Sequence, residues 1–102
     1  MLLPHAPYEF LSTGLTYTKS SDIGLAKDVW PNDQNLVDLA YHRYMKQVGF
    51  VDTLLGELIA HLQATGTYDS SLIVVTADHG RAFRANEHSR KLTENNAYVL
   101  HV

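Results

Sequence analysis

The residues best suited to chemistry are Asp78 and His79, which stand side by side and are followed by Gly80. A carboxylate oxygen and an imidazole nitrogen are both good ligands for a divalent cation, and adjacent residues converge on one ion if the backbone bends. Gly80 favours such a bend, because glycine readily adopts the backbone angles of an abrupt turn. The alternative is an aspartate that caps the next turn beside a histidine that only forms a hydrogen bond. The pair therefore predicts either a metal site or a capped turn.

The element that must position this pair is the run from Leu72 to Val75. The run is apolar at every position and rich in β-branched residues, which is typical of a strand buried on both faces of a sheet. In open α/β sheets, ligands bind outside the carboxyl ends of the strands. Asp78 and His79 come just after this run, so the predicted strand strengthens the case for a metal site. That support is lost if the run lies in a helix or is open to water, or if the two side chains point apart.

Three stretches resemble the sulfatase family, within the alkaline-phosphatase-like superfamily. Residues 68–80 resemble the signature near the end of the sulfatase catalytic core, and Pro4 to Tyr8 resembles the family's Pro-His-x-Pro-aromatic segment. Tyr44 to Gly66 resembles the helix that precedes the Asp-His-Gly strand. Together the resemblance extends from about Leu2 to Val102. It implies an α/β fold, in which the chain is a segment of an alkaline-phosphatase-like, mainly parallel sheet with one long helix packed on it.

The resemblance also implies roles for Asp78 and His79. In the superfamily the aspartate and the residue after it bind a divalent metal ion that polarises the ester and stabilises the nucleophile as an anion. Ca²⁺ is usual in sulfatases and is the first expectation here, whereas Mn²⁺ or Zn²⁺ serves related phosphotransferases. An all-oxygen shell favours calcium and a histidine nitrogen favours a transition metal, so His79 leaves the ion open.

His5 matches a family histidine that contacts the charged ester oxygens or donates a proton to the leaving group, so it is both a catalytic and a substrate-binding candidate. Its alternative role is to order the turn between the flanking prolines. Arg81 and Lys91 lie on the loop after Asp78 and His79, the predicted metal pair. They suit an anionic sulfate or phosphate ester, although a solvated loop face explains them equally well. His88 is a further candidate for a third metal ligand.

The amino-acid composition limits the classes of protein to which the chain can belong. The chain has 102 residues, 45% of them apolar and 19% charged, which suits one ordinary globular domain at most. The net charge of −3 and the absence of any Lys/Arg run give no indication of nucleic-acid or anionic-membrane binding. No apolar window approaches the roughly 20 residues of a membrane span. Cysteine is absent, which excludes disulfides and a cysteine nucleophile in this chain. Localisation stays open, although the family's members often act outside the cytoplasm.

Sulfatases carry their nucleophile in a Cys/Ser-x-Pro-x-Arg motif. The prolines of this chain, Pro4, Pro7 and Pro31, lack the required neighbours. The resemblance therefore implies that residues 1–102 are a partial sulfatase-like catalytic domain, a fragment without the N-terminal half that carries the nucleophile, and inactive by itself. A physical argument agrees, because one helix and a few strands cannot enclose a strand that is apolar on both faces. Such a chain should expose apolar surface and self-associate.

An apolar stripe predicts one long helix. Its members recur at alternating steps of four and three residues: Val37, Tyr41, Tyr44, Val48, Val51, Leu55, Leu58 and Leu62. Asn32 or Asp33 is the expected N-cap, and Gly66 fits the position just past the end. Residues 8–33 predict a long irregular segment, while residues 1–3 and 97–102 have the composition of strand fragments. Trp30, within the irregular segment, suits either a core or a ligand-contact role.

Three functions remain in view. The first is a metal-dependent sulfuric ester hydrolase, active in the longer parent. The second is a phosphodiesterase or a phosphoglycerol or phosphoethanolamine transferase of the same superfamily, which predicts a Ser or Thr nucleophile upstream. The third is a non-enzymatic module that uses the apolar helix stripe to bind a partner or a second copy; it predicts a concentration-dependent dimer that binds no metal.

Overall fold

The computed structural model of the chain describes residues 4–18, 23–91 and 93. Helix α1, Gln34–Ala64, is the one α-helix in these residues, and Tyr68–Ser70 forms a short 3₁₀ helix. Three isolated β-bridges join Phe10 to Thr16, Ala26 to Val29, and Val29 to His88. The described residues form no sheet, so the mainly parallel sheet stays a prediction. The predicted strand fragments at residues 1–3 and 97–102 lie outside the described residues.

Helix α1 begins at the residue that the sequence predicts. The Asp33 carboxylate oxygen Oδ1 accepts hydrogen bonds from the backbone N–H groups of Asn35, at 3.0 Å, and Leu36, at 3.2 Å. These are two of the four N–H groups that a helix start leaves without helical partners. The prediction of an N-cap at Asn32 or Asp33 is therefore confirmed, with Asp33 as the capping residue.

The end of α1 is also confirmed. Gly66 adopts a positive φ of 71°, and its N–H donates to the Gln63 carbonyl at 3.1 Å. The Thr67 N–H donates to the Leu62 carbonyl at 3.0 Å. This pair of bonds is a Schellman motif, which needs a left-handed residue just beyond the helix and so favours glycine there. In the part of the chain that the structure describes, no helix is long and apolar enough to cross a membrane.

The buried row of α1 differs from the predicted stripe. Val37, Ala40 and Gln47 are buried, and Tyr44 is half-buried, whereas the stripe residue Leu58 is half exposed. The buried residues follow steps of three, four and three, which is one face of a helix. That face contains a polar residue, Gln47, which the apolar pattern does not include.

The chain forms two compact units, Met1–Ser20 with Arg43–Val74, and Ser21–His42 with Val75–Val102. In the first unit, the segment of residues 4–18 packs on α1 through aromatic pairs. The rings of Tyr8 and Tyr44 meet edge to face at 5.5 Å, and Phe10 stacks on Phe50 at 5.4 Å. These pairs join the segment containing the histidine candidate to the helix.

The second unit has its core at Trp30. The indole is buried and its Nε1 donates to the Ala82 carbonyl at 2.7 Å. Its ring lies 5.2 Å from that of Phe83, which meets Tyr41 at 5.3 Å. The Trp30 N–H also donates to the Glu87 carbonyl at 3.0 Å. Trp30 is therefore a core residue that holds the loop of residues 80–91 to the segment before α1.

The prediction that Leu72 to Val75 is buried on both faces is wrong for this chain as it folds here. The exposed fractions are 91% for Leu72, 73% for Val74 and 66% for Val75. A strand is covered on two faces only when neighbouring strands and helices supply the cover. In the described residues, no strand pairs with this run, and Leu72, Val74 and Val75 are left exposed.

Candidate functional site

Asp78 and His79 face one another. The Asp78 carboxylate oxygen Oδ1 and the His79 ring nitrogen Nε2 are 3.9 Å apart. The Asp78 side chain is 84% exposed, whereas that of His79 is 31% exposed. The pair thus combines a sheltered imidazole with a carboxylate that solvent ions reach directly. Most of the run before them is exposed, so a buried strand does not support a metal site here, and the approach of the two side chains is the geometric support that remains.

The orientation of the His79 ring follows from its other nitrogen. Nδ1 lies 2.8 Å from the Gly80 carbonyl oxygen, which can only accept a hydrogen bond, so Nδ1 carries the proton. In the neutral ring, Nε2 then presents a lone pair toward the Asp78 oxygen. Metal-binding histidines commonly donate their second N–H to a backbone carbonyl in this way. The glycine thus contributes its carbonyl to the site as well as the turn.

The two facing acceptors would supply two of the donors that a divalent cation needs. Two lone-pair atoms repel one another unless a proton or a cation lies between them, and metal–ligand bonds of about 2.0 to 2.6 Å span a separation of this size. One nitrogen and one oxygen are two donors, whereas metal sites in proteins generally use three or more protein ligands. Within residues 4–18, 23–91 and 93, no cluster of three or more His, Asp or Glu side chains is placed to hold a metal.

His88 does not complete the site. Its Nδ1 accepts a hydrogen bond from the backbone N–H of Arg90 at 3.2 Å. The Val29 bridge holds its backbone, and the Lys91 N–H donates to its carbonyl at 2.9 Å. His88 therefore belongs to the turn that follows the metal pair. A third ligand stays a prediction.

His5 lies in the first unit, on the segment before Tyr8. Its ring is exposed and its Nδ1 lies 2.6 Å from the Ala6 carbonyl oxygen. Because the carbonyl accepts, Nδ1 carries the proton and Nε2 is the ring nitrogen left for an external ligand. The ring thus helps to order the turn, as the alternative reading expects. Nε2 stays open, and the catalytic and substrate-binding role of His5 stays a prediction.

Sequence reasoning missed Gln47, which holds the His5 segment in place. Its amide nitrogen Nε2 donates to the His5 carbonyl at 2.8 Å. Its amide oxygen Oε1 accepts from the backbone N–H groups of Glu9, at 3.0 Å, and Phe10, at 3.3 Å. The signal that points to it is its position on α1, because Gln47 follows Tyr44 by three residues and so shares the helix face that packs against the segment.

The two basic candidates make contacts along their own loop. Arg81 Nη1 donates to the hydroxyl of Ser89, a fully buried residue, at 3.3 Å. Lys91 Nζ lies 3.1 Å from the carboxylate of Glu87, four residues earlier. Arg81 is thereby oriented by a buried neighbour, whereas Lys91 must exchange a carboxylate partner to bind an anionic ester.

The structure thus brings Asp78 and His79 together and orders Arg81 and Lys91 within the same unit. Comparison with known protein families adds an independent finding. The model of the family described as Sulfatase matches residues 4–100, which includes every candidate site residue. No curated protein and no solved structure gives a significant match to the chain.

Proposed function

Because the chain belongs to the sulfatase family, we propose that it serves a metal-dependent hydrolase that cleaves sulfate esters, with Asp78 and His79 holding the metal ion. The observation that carries the proposal is the 3.9 Å approach of Asp78 Oδ1 to His79 Nε2, with the Nδ1 proton engaged by Gly80. A proton on His79 Nε2 would account for the same approach as an ion pair, so a metal titration must distinguish the two.

The remaining residues suit an anionic ester. A bound divalent cation polarises the ester oxygen and stabilises an anionic nucleophile. His5 keeps Nε2 open, and in the imidazolium form, with a proton on both ring nitrogens, Nε2–H donates to the ester oxygens or to the leaving group. Arg81 adds a guanidinium, which matches pairs of oxyanion oxygens, and Lys91 adds an ammonium that must first leave Glu87. The chain contains no Cys/Ser-x-Pro-x-Arg motif, so the proposal assigns the nucleophile to a longer parent sequence.

Metal binding tests the proposal directly. We expect calorimetric titration of the 102-residue chain with Ca²⁺, Mn²⁺ and Zn²⁺ to detect one site, and Asp78→Ala or His79→Ala to weaken it at least tenfold. Asp69→Ala and His61→Ala are matched controls, since both residues are exposed and lie elsewhere. Equal binding by the site variants and the wild type would exclude the assignment.

The substrate class is tested with a protein in which this chain is joined to a nucleophile-bearing sequence, as the proposal requires. A protein that includes the upstream sequence should hydrolyse 4-nitrophenyl sulfate, and the Asp78→Ala variant should lose that activity. Turnover of 4-nitrophenyl phosphate or bis(4-nitrophenyl) phosphate, with none of the sulfate ester, would instead support the phosphodiesterase or phosphotransferase alternative. The same assay therefore distinguishes the two branches of the superfamily.

A further inference from the structure

Gln47 is a fully buried polar residue in the middle of α1. A glutamine amide carries two N–H donors and one oxygen acceptor, and burial without partners costs free energy. A glutamine on the packed face of a helix therefore needs specific hydrogen-bond partners. In this chain the partners are backbone groups of a single segment, and none of them belongs to α1.

The contacts of Gln47 lie on both sides of Tyr8. One end of the amide donates to the carbonyl of His5, and the other end accepts from the N–H groups of Glu9 and Phe10. The amide thus bridges the two ends of a six-residue stretch that is more than 35 positions away in the sequence. The contact to His5 is the shortest of the three.

The chemistry of these contacts demands an amide at this position. A donor must face the His5 carbonyl, and an acceptor must face the two backbone N–H groups. Glutamate presents an oxygen to the His5 carbonyl oxygen, so its contact there becomes repulsive. Methionine has a similar length but offers neither a donor nor a strong acceptor. These three hydrogen bonds therefore favour glutamine over glutamate and methionine, the side chains most similar to it in size.

We infer that Gln47 is a positioning residue for His5: it sets the backbone at residue 5 and thereby the place and tautomer of the imidazole. The bond from His5 Nδ1 to the adjacent Ala6 carbonyl depends on the local backbone conformation, and the Gln47 contact lies on the neighbouring carbonyl. The value of this positioning for catalysis rests on the proposed function, in which His5 contacts the ester.

Other contacts keep the segment attached to α1 when Gln47 changes. Phe10 stacks on Phe50, and the Arg43 guanidinium lies 4.0 Å from the centre of the Tyr17 ring. The Tyr17 N–H donates to the Glu9 carbonyl at 3.1 Å. A substitution at Gln47 should therefore disturb the His5 end of the segment more than its Phe10 end, which gives the inference a local signature.

Nuclear magnetic resonance of the 102-residue chain tests the inference. The ¹⁵N shifts of the His5 ring, assigned with the His5→Ala variant, should show the Nδ1–H tautomer in the wild type. Gln47→Met and Gln47→Glu should move those shifts toward the mixture of an unrestrained histidine. Gln63→Met, an exposed position on the same helix, should leave them unchanged. Unchanged His5 shifts in folded Gln47→Met would overturn the inference.

A second measurement needs no variant. The backbone N–H groups of Glu9 and Phe10 should exchange with solvent at least tenfold more slowly than that of exposed Thr13, and rapid exchange at both would count against the inference. Addition of sulfate tests the proposed function separately. If the His5 signals ignore sulfate while the Gln47 effects persist, the positioning role stands and the ester-binding role of His5 fails.

Discussion

Replacement of Trp30 by phenylalanine should destabilise the second unit, since this side chain anchors the loop after the metal pair. The change removes the buried hydrogen bond from Nε1 to the Ala82 carbonyl, which is 2.7 Å long. An unsatisfied buried acceptor costs about 1 to 3 kcal/mol. The smaller ring also loses packing against Phe83, which adds on the order of 1 kcal/mol. We therefore expect the free energy of unfolding to fall by roughly 2 to 4 kcal/mol.

Urea denaturation followed by far-ultraviolet circular dichroism measures this change, because Trp30 is the one tryptophan and the variant has no indole fluorescence. Tyr68→Phe is a suitable control, since it removes a polar group from an aromatic residue that is 39% exposed. It should alter the free energy of unfolding by less than about 0.5 kcal/mol. A Trp30→Phe variant as stable as this control would refute the role of the Ala82 contact.

The link to the metal pair adds a second expectation for the same variant. Ala82 follows Gly80 by two residues, so loss of its anchor should loosen the backbone that orients His79. We expect the Trp30→Phe chain to bind the divalent cation more weakly than the wild type at a temperature where both are folded. Equal affinities would mean that the pair is held by its own turn alone.

Three further outcomes follow from the structure. In a urea titration, Asp33→Ala should lower the free energy of unfolding by about 1 kcal/mol, because two N–H groups at the start of α1 lose their acceptor. Asp33→Asn, which keeps a side-chain acceptor, should retain most of the wild-type stability. Gly66→Ala should cost about 1 kcal/mol in the same assay, since φ is positive there. Val74→Lys should reduce self-association in analytical ultracentrifugation, because Val74 is 73% exposed within an uncharged apolar run; a wild-type chain that is monomeric at all concentrations would contradict this.

Much of the local structure was readable from residue types. Both ends of α1 follow from local chemistry, in which a short carboxylate caps the first turn and a glycine accepts the left-handed conformation past the last. Family membership was equally readable, because the Asp-His-Gly turn and the Pro-His-x-Pro segment are contiguous motifs. These features depend on neighbours within a few positions, which a single sequence displays directly.

The sequence could not predict which residues are buried or paired when their partners are distant in the chain. Leu72 and Val74 are apolar residues of the type found in cores, but they are exposed. An apolar side chain is buried only when other elements of the fold pack over it. The N–H donors of the Gln47 oxygen lie 37 and 38 residues away, and the Ala82 acceptor of Trp30 lies 52 residues away. No periodicity within one element reveals such pairs.

For Asp78 and His79, the sequence alone determined the identity of the two candidate donors and their adjacency, but it left the ion open. The tertiary structure decided their orientation, since the 3.9 Å approach of the two side chains depends on backbone angles and on the Gly80 carbonyl. Likewise, the motif identified His5, while the fold supplied the buried amide that holds it. The residue types are fixed by the sequence, but the orientation of their side chains depends on how the chain packs against itself.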